Sequence, residues 1–185
     1  NKVHGPLGFN DLDREGMLIE GFDQDSTYEE QYNYSYYPKL VEECGYSKEI
    51  DWLEYKIYAP DEIDERIDHL SNAVLERYHL RIGTAKNKRE YINKYKKGLF
   101  KVLDEAYGDL YGVVPFTDRL REQIISQFRL FISLKFIICI VDENDDVVGF
   151  GFAIPSLSKA VRKSKGRFLP FGIFRMLHAI KHPKV

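Results

Sequence analysis

Asp11, Asp13 and Glu15 alternate ahead of Gly16, the arrangement by which a calcium loop brings several oxygens onto one cation before a sharp turn. The remainder of that scheme fails. Its ninth and twelfth positions fall on Ile19 and Phe22, which cannot ligate a hard cation. The stretch 5–23, GPLGFNDLDREGMLIEGFD, fits neither helix nor strand periodicity, and a long composed loop usually serves a site. Its acids are expected to cap backbone amides, with Arg14 pairing one of them. His178 and His182 stand one helical turn apart, a spacing that lets two imidazoles share a metal. No acid accompanies them and lysines are close by, so surface histidines are the better reading and no metal is expected.

Two aromatic groups sit beside Gly and Pro: Tyr28, Tyr32, Tyr34, Tyr36 and Tyr37, then Tyr107, Tyr111 and Phe116. Rigid rings with polar tips can line a pocket, and a phenol can serve as a general acid. The alternative is packing at the rim of a sheet. A third group is basic: Lys159, Arg162, Lys163, Lys165, Arg167, Arg175, Lys181 and Lys184, interleaved with Phe168, Phe171, Ile173, Phe174, Met176 and Leu177. It reads as a solvated helix with an apolar inner face, as an attractor of an anionic cofactor, or as a contact for an anionic membrane surface. The first is preferred and the membrane surface is disfavoured. No Gly-x-Ser-x-Gly elbow, Walker loop or dinucleotide fingerprint is present, and Gly149-Phe150-Gly151 is too short to cradle phosphate.

The elements that must hold these residues follow from periodicity. A short helix is expected over 34–43, with Pro38 in its first turn and Gly45 ending it, then a strand over 48–58 closed by Pro60. Ile63, Ile67, Leu70, Val74 and Tyr78 mark one stripe of an amphipathic helix. After a short strand at 80–84, a second helix places Ile92, Tyr95, Leu99, Val102, Leu103 and Ala106 on its inner face. Thr117 caps a third helix built on Leu120, Ile124, Phe128 and Phe131. Strands 136–141 and 147–154, separated by the turn residues 142–146, form a hairpin; both are nearly all apolar, which predicts a sheet covered by helices on both faces. The fold class is mixed α/β.

With 185 residues, 44% hydrophobic and 30% charged, the composition is that of an ordinary folded domain, so neither disorder nor a membrane class is favoured. A net charge of −2 supplies no positive field for phosphate polymers, so no nucleic-acid partner is expected. Cys44 and Cys139 show no framework spacing and are expected to be buried free thiols, which fits a reducing cytoplasm. Opening on Asn1, with Gly5-Pro6 already in a loop, the sequence reads as a piece of a longer polypeptide.

GPLGFNDLDREGMLIEGFD, NYSYYPKLVEECGY, DWLEYKIYAP and GFGFAIPSLSKAV together resemble the GNAT superfamily of coenzyme A dependent N-acetyltransferases, in a bacterial branch built from two tandem units. The resemblance implies a mainly antiparallel central sheet flanked by helices. It implies that residues 1–60 are the closing half of one unit, and that 61–185 are the opening half of the next with a basic helical tail. The family holds the cofactor diphosphate at a strand followed by Gln/Arg-x-x-Gly-x-Gly/Ala, which this sequence lacks. Relatives also place a tyrosine four residues before the glycine of the closing helix to protonate the departing thiolate, where this chain has Val41. Acetyl-CoA or another acyl-CoA is thus the implied cofactor, not expected to bind this chain alone. A small amine is the implied acceptor, with Tyr107, Tyr111 and Phe116, then Tyr36 and Tyr37, as substrate-binding residues. No catalytic base is nameable. The competing reading is a non-catalytic binding module of the same fold. Exposed strand edges at the two missing positions make a homodimer an expectation.

Overall fold

The computed structural model describes residues 2–9, 12–27, 30–58, 60–128 and 133–182. Asp11, Tyr28, Phe131 and Lys184 lie outside them, as does the side chain of Phe128. By contacts the chain divides into two compact units, Asn1–Glu54 with Pro155–Val185, and Tyr55–Ile154. The basic tail, read from sequence with the second half, makes its contacts with the first: Ser158 Oγ donates to Ser26 O at 2.8 Å and Arg162 pairs with Asp25 at 2.7 Å.

In the second unit, α2 (Glu65–Arg77), β1 (Arg81–Ile82), α3 (Lys88–Tyr107), α4 (Asp118–Phe128), β2 (Ile137–Val141) and β3 (Val147–Phe152) follow one another. The first unit holds α1 (Tyr37–Glu43), α5 (Ser158–Lys163) and α6 (Gly172–Lys181). The strands form one antiparallel sheet in the order β1-β2-β3. Its hairpin turn is built by Asp142, whose Oδ1 accepts the amides of Asn144 and Asp146, each at 2.9 Å. Asp145 supplies a left-handed residue (φ 69°) that Asp tolerates better than most side chains.

Asn87 caps α3 by accepting the Glu90 amide at 3.0 Å, and Thr117 caps α4 by accepting that of Leu120 at 3.3 Å. From α3, Tyr91 and Tyr95 bury against Ile137, Cys139 and Val141, while Phe100 and Leu103 meet Phe116, with Leu120 and Ile124 of α4 beside them. Tyr95 and Leu103 face inward as expected, with Leu99 packed against the same core, and Tyr91 and Phe100 join them; Ile92 and Val102 are only half-buried and Ala106 is exposed. Gly98 lets the helix approach β3, because a Cβ there would lie 2.7 Å from Val147 Cγ2.

Three expectations are corrected. First, β2 alternates: Ile137, Cys139 and Val141 are buried while Ile138 is exposed, so helices cover one face of the sheet rather than two. The apolar run was compatible with either arrangement, and only helices packed on the second face would have buried Ile138. Second, residues 48–58 form no strand. A strand exists by pairing, and no described segment pairs with this one. Third, Cys44 is exposed because it is the C-cap of α1, a seven-residue helix with no buried residue. Gly45 (φ 88°) then ends α1 as expected. Helix α2 likewise buries none of its residues, and its stripe, with Ile67 and Leu70, is exposed.

Candidate functional site

In the second unit, the junction between the end of α3 and the start of α4 gathers polar groups beside aromatic ones. Phe100 and Phe116 meet edge to face at 5.9 Å between centroids. Above Phe100 stands the guanidinium of Arg121, 5.9 Å from the ring centre. Arg121 Nη2 donates to Asp104 Oδ2 at 2.5 Å and Nη1 donates to Asp118 Oδ1 at 3.1 Å. Two atoms of this cluster, Asp104 Oδ1 and Arg121 Nε, are buried with no hydrogen-bond partner among the described residues. A buried acceptor and a buried donor left in this condition mark a place where a polar ligand atom or a water is needed. Asp104 lies one helical turn before Tyr107, hence on the same face of α3.

The sequence-derived residues distribute unevenly around this junction. Phe116 is buried as core, whereas Tyr107 and Tyr111 are partly exposed. Tyr36 and Tyr37 belong to the first unit, in a row of rings: Tyr32 meets Tyr34 edge-on at 6.1 Å, Tyr34 stacks on Tyr36 at 5.8 Å, and Tyr36 stacks on Tyr37 at 4.7 Å. A hydrogen bond with Tyr37 holds the Tyr36 phenol above its ordinary range, making it a weaker proton donor. Asp104 and Arg121 carried no sequence signal as a pair, being 17 positions apart. The helical spacing of Asp104 to Tyr107 could have marked the carboxylate.

The acidic loop behaves as its carboxylate spacing suggested at one point on the described chain: Asp13 Oδ2 accepts the amide of Phe9 at 2.9 Å. Asn33 clamps the same loop by accepting the Leu18 amide at 2.7 Å and donating to the Leu18 carbonyl at 3.0 Å. Gly16 (φ 74°) rests against the Trp52 ring. His178 and His182 lie with ring centres 4.8 Å apart on the surface. No group of three or more His, Cys, Asp and Glu that could hold a metal occurs among the described residues.

Among the described residues, none of the longer helix starts fits a coenzyme A diphosphate. Three of the longer helices begin with acids, Glu65 and Asp68 in α2, Glu90 in α3 and Asp118 in α4, which oppose an anion at the positive dipole end. The fourth, α6, has no acid in its first turn, but the Ile173 amide is already given to Phe168 O at 2.8 Å. A Cβ on Gly172 would lie 2.0 Å from Arg167 O, so chain already fills that approach.

The second unit is thus mixed α/β, with helices on one face of a small three-stranded antiparallel sheet, and the polar and aromatic junction lies between two of those helices. No family model matches the chain, and no solved structure matches it. Protein YghO of Escherichia coli (strain K12) is 23% identical over 182 residues, covering 98% of this chain and 45% of the relative. The bacterial ceramide synthase of Caulobacter vibrioides is 24% identical over 188 residues, covering 96% of this chain and 45% of the relative. The chain spans less than half the length of either.

Proposed function

We propose that this chain is the acceptor-binding part of a GNAT-like N-acyltransferase, presenting an amine for acylation by an acyl-CoA that other residues must hold. The observation that carries the reading is the Asp104–Arg121 pair between α3 and α4, whose Asp104 Oδ1 has no hydrogen-bond partner among the described residues and whose carboxylate stands one helical turn from the exposed Tyr107. With the junction opened, an ammonium would donate to that oxygen, and the exposed rings of Tyr107 and Tyr111 would cover the apolar remainder of the amine. The succession β1, α3, α4 and hairpin supports the reading, since the GNAT resemblance implies a strand, two helices and a hairpin for the opening half of a unit. The ceramide synthase relative supports it too. Ceramide is an amide of a long-chain amino alcohol, so its synthesis makes the bond that amine acylation makes.

The test is titration of a short-chain 2-amino-1,3-alkanediol into the labelled chain. The expected result is shifted amides at Asp104, Tyr107 and Tyr111, lost in Asp104→Asn. Unshifted resonances there would refute the acceptor assignment. Acetyl-CoA titrated by calorimetry into this chain should show no micromolar binding, because its helix starts are acidic or occupied. Val41 favours the second reading, a non-catalytic binding module. That reading gains if a longer polypeptide containing this chain also fails to bind acetyl-CoA.

A further inference from the structure

Residues 155–185 contain eight Lys and Arg and none of the chain's 29 acids. Within this stretch α6 docks on α5 through the buried Gly172 and Met176, and Arg175 Nη1 ties the two by donating to Lys163 O at 2.9 Å. That inner contact uses one side of the helix. The other side is also apolar: Phe168, Leu169, Phe171, Phe174 and Leu177 are all between 48% and 71% exposed. Phe171, Phe174 and Leu177 recur at three-residue steps, so they share one outward stripe, with His178 and Lys181 beside it. A solvated helix would carry polar residues there.

The cations of the same segment are mostly uncommitted. Arg162 is engaged by Asp25 and Arg175 by its tether, but Lys163, Lys165, Arg167 and Lys181 have no ion pair among the described residues. We infer that this outward face of α6 and the 165–171 turn before it is a docking surface for an anionic lipid bilayer. The phenylalanines and leucines enter the boundary between headgroups and acyl chains, and the surrounding lysines and arginine meet lipid phosphates. The helix spans ten residues, about 15 Å, and no helix among the described residues is long and apolar enough to cross a membrane. It therefore lies on the surface.

The other occupants fit less well. A second copy presenting the same patch would set cation against cation. An acidic polypeptide would match the lysines and leave five large apolar side chains unaccounted for. Lipid takes both together and needs no shape complementarity. Surface attachment requires no acyl transfer, so it can succeed or fail independently of the acceptor assignment.

The test is co-sedimentation of the 185-residue chain with vesicles of phosphatidylcholine alone and of phosphatidylcholine with phosphatidylglycerol in equal parts. Each lysine or arginine near an anionic surface is worth about fivefold in partitioning, so binding to the anionic vesicles should exceed the neutral ones at least about tenfold and weaken as salt rises. Phe171→Ser with Phe174→Ser should lower it about tenfold, and Lys163→Glu with Lys165→Glu by at least as much, with far-ultraviolet dichroism unchanged because all four side chains are exposed. Equal binding to both vesicle types overturns the inference. So does binding indifferent to the phenylalanine pair, which would signal an acidic partner surface, or a dimer in solution that the phenylalanine pair dissolves.

Discussion

The amide of Cys139 donates a 2.8 Å hydrogen bond to the phenolic oxygen of Tyr91, while the Cys139 carbonyl accepts the Gly83 amide at 2.8 Å. Both main-chain groups of one β2 residue are thus satisfied, the carbonyl by the residue just past β1 and the amide by a side chain from α3. Tyr91 prolongs the ladder after β1 has ended.

Tyr91→Phe removes that acceptor and leaves a buried amide unpaired. The expected cost is about 1–3 kcal/mol, read as a lower denaturation midpoint with an unchanged slope. An unchanged midpoint would mean that the phenol is dispensable.

Burial, and next the contact with Cys139, hold the Tyr91 phenol well above its ordinary value, and burial likewise raises the Cys139 thiol. Both groups are neutral when protonated, so the folded state keeps these protons longer than the unfolded chain. Their contribution is complete below the unfolded values, about 8.5 for the thiol and about 10 for the phenol, and is lost as pH rises above them. Melting temperature should fall on the alkaline side, and less steeply in Tyr91→Phe. A parallel fall in both proteins would assign the loss elsewhere.

Asp145 lies between Lys94 Nζ, at 2.9 Å, and the Arg81 guanidinium, tying the hairpin turn to α3 and β1. The Lys94 hydrogen bond, followed by Arg81, holds its carboxyl below the usual range. A depressed carboxyl stabilises the fold above its unfolded value, about 3.9, and that contribution disappears as pH falls through the lower folded value. Asp145→Asn keeps a residue tolerant of the left-handed backbone and removes the charge. Its acid unfolding transition should be shallower than that of the parent chain.

Gly98→Ala should destabilise despite better helix propensity. The added methyl would sit 2.7 Å from Val147 Cγ2, and such overpacking costs about 1–3 kcal/mol against a gain of about 1 kcal/mol for replacing Gly in a helix. Val147→Ala in the same chain should recover part of the loss. Additive costs in the double variant would show that the two positions do not press on each other.

Legibility in the sequence tracked how local the determinant was. The hairpin announced itself because Asp142 both terminates β2 and accepts the turn amides. Asn87 and Thr117 cap through bonds only three residues long. The identity of the α3 inner face was less legible, since Tyr91 and Phe100 are inward only because β2 and Phe116 meet them there. The strand expected over 48–58 failed for a nonlocal reason: propensity supplies side chains that suit a sheet but no neighbour to pair with. At the candidate site Phe116 was visible as an aromatic beside Pro115, while Asp104 with Arg121 was not, because an ion pair between two helices has no sequence period.

Residues 53–58 combine Tyr55, Ile57 and Tyr58, each at least 76% exposed, with a backbone that belongs to no helix or sheet. Digestive enzymes need accessible chain free of helix or sheet, and those of the chymotrypsin type favour large aromatic rings at the scissile position. A brief chymotryptic digest should therefore nick this stretch first, leaving the helices and hairpin that follow as a trimmed fragment ready for separate study.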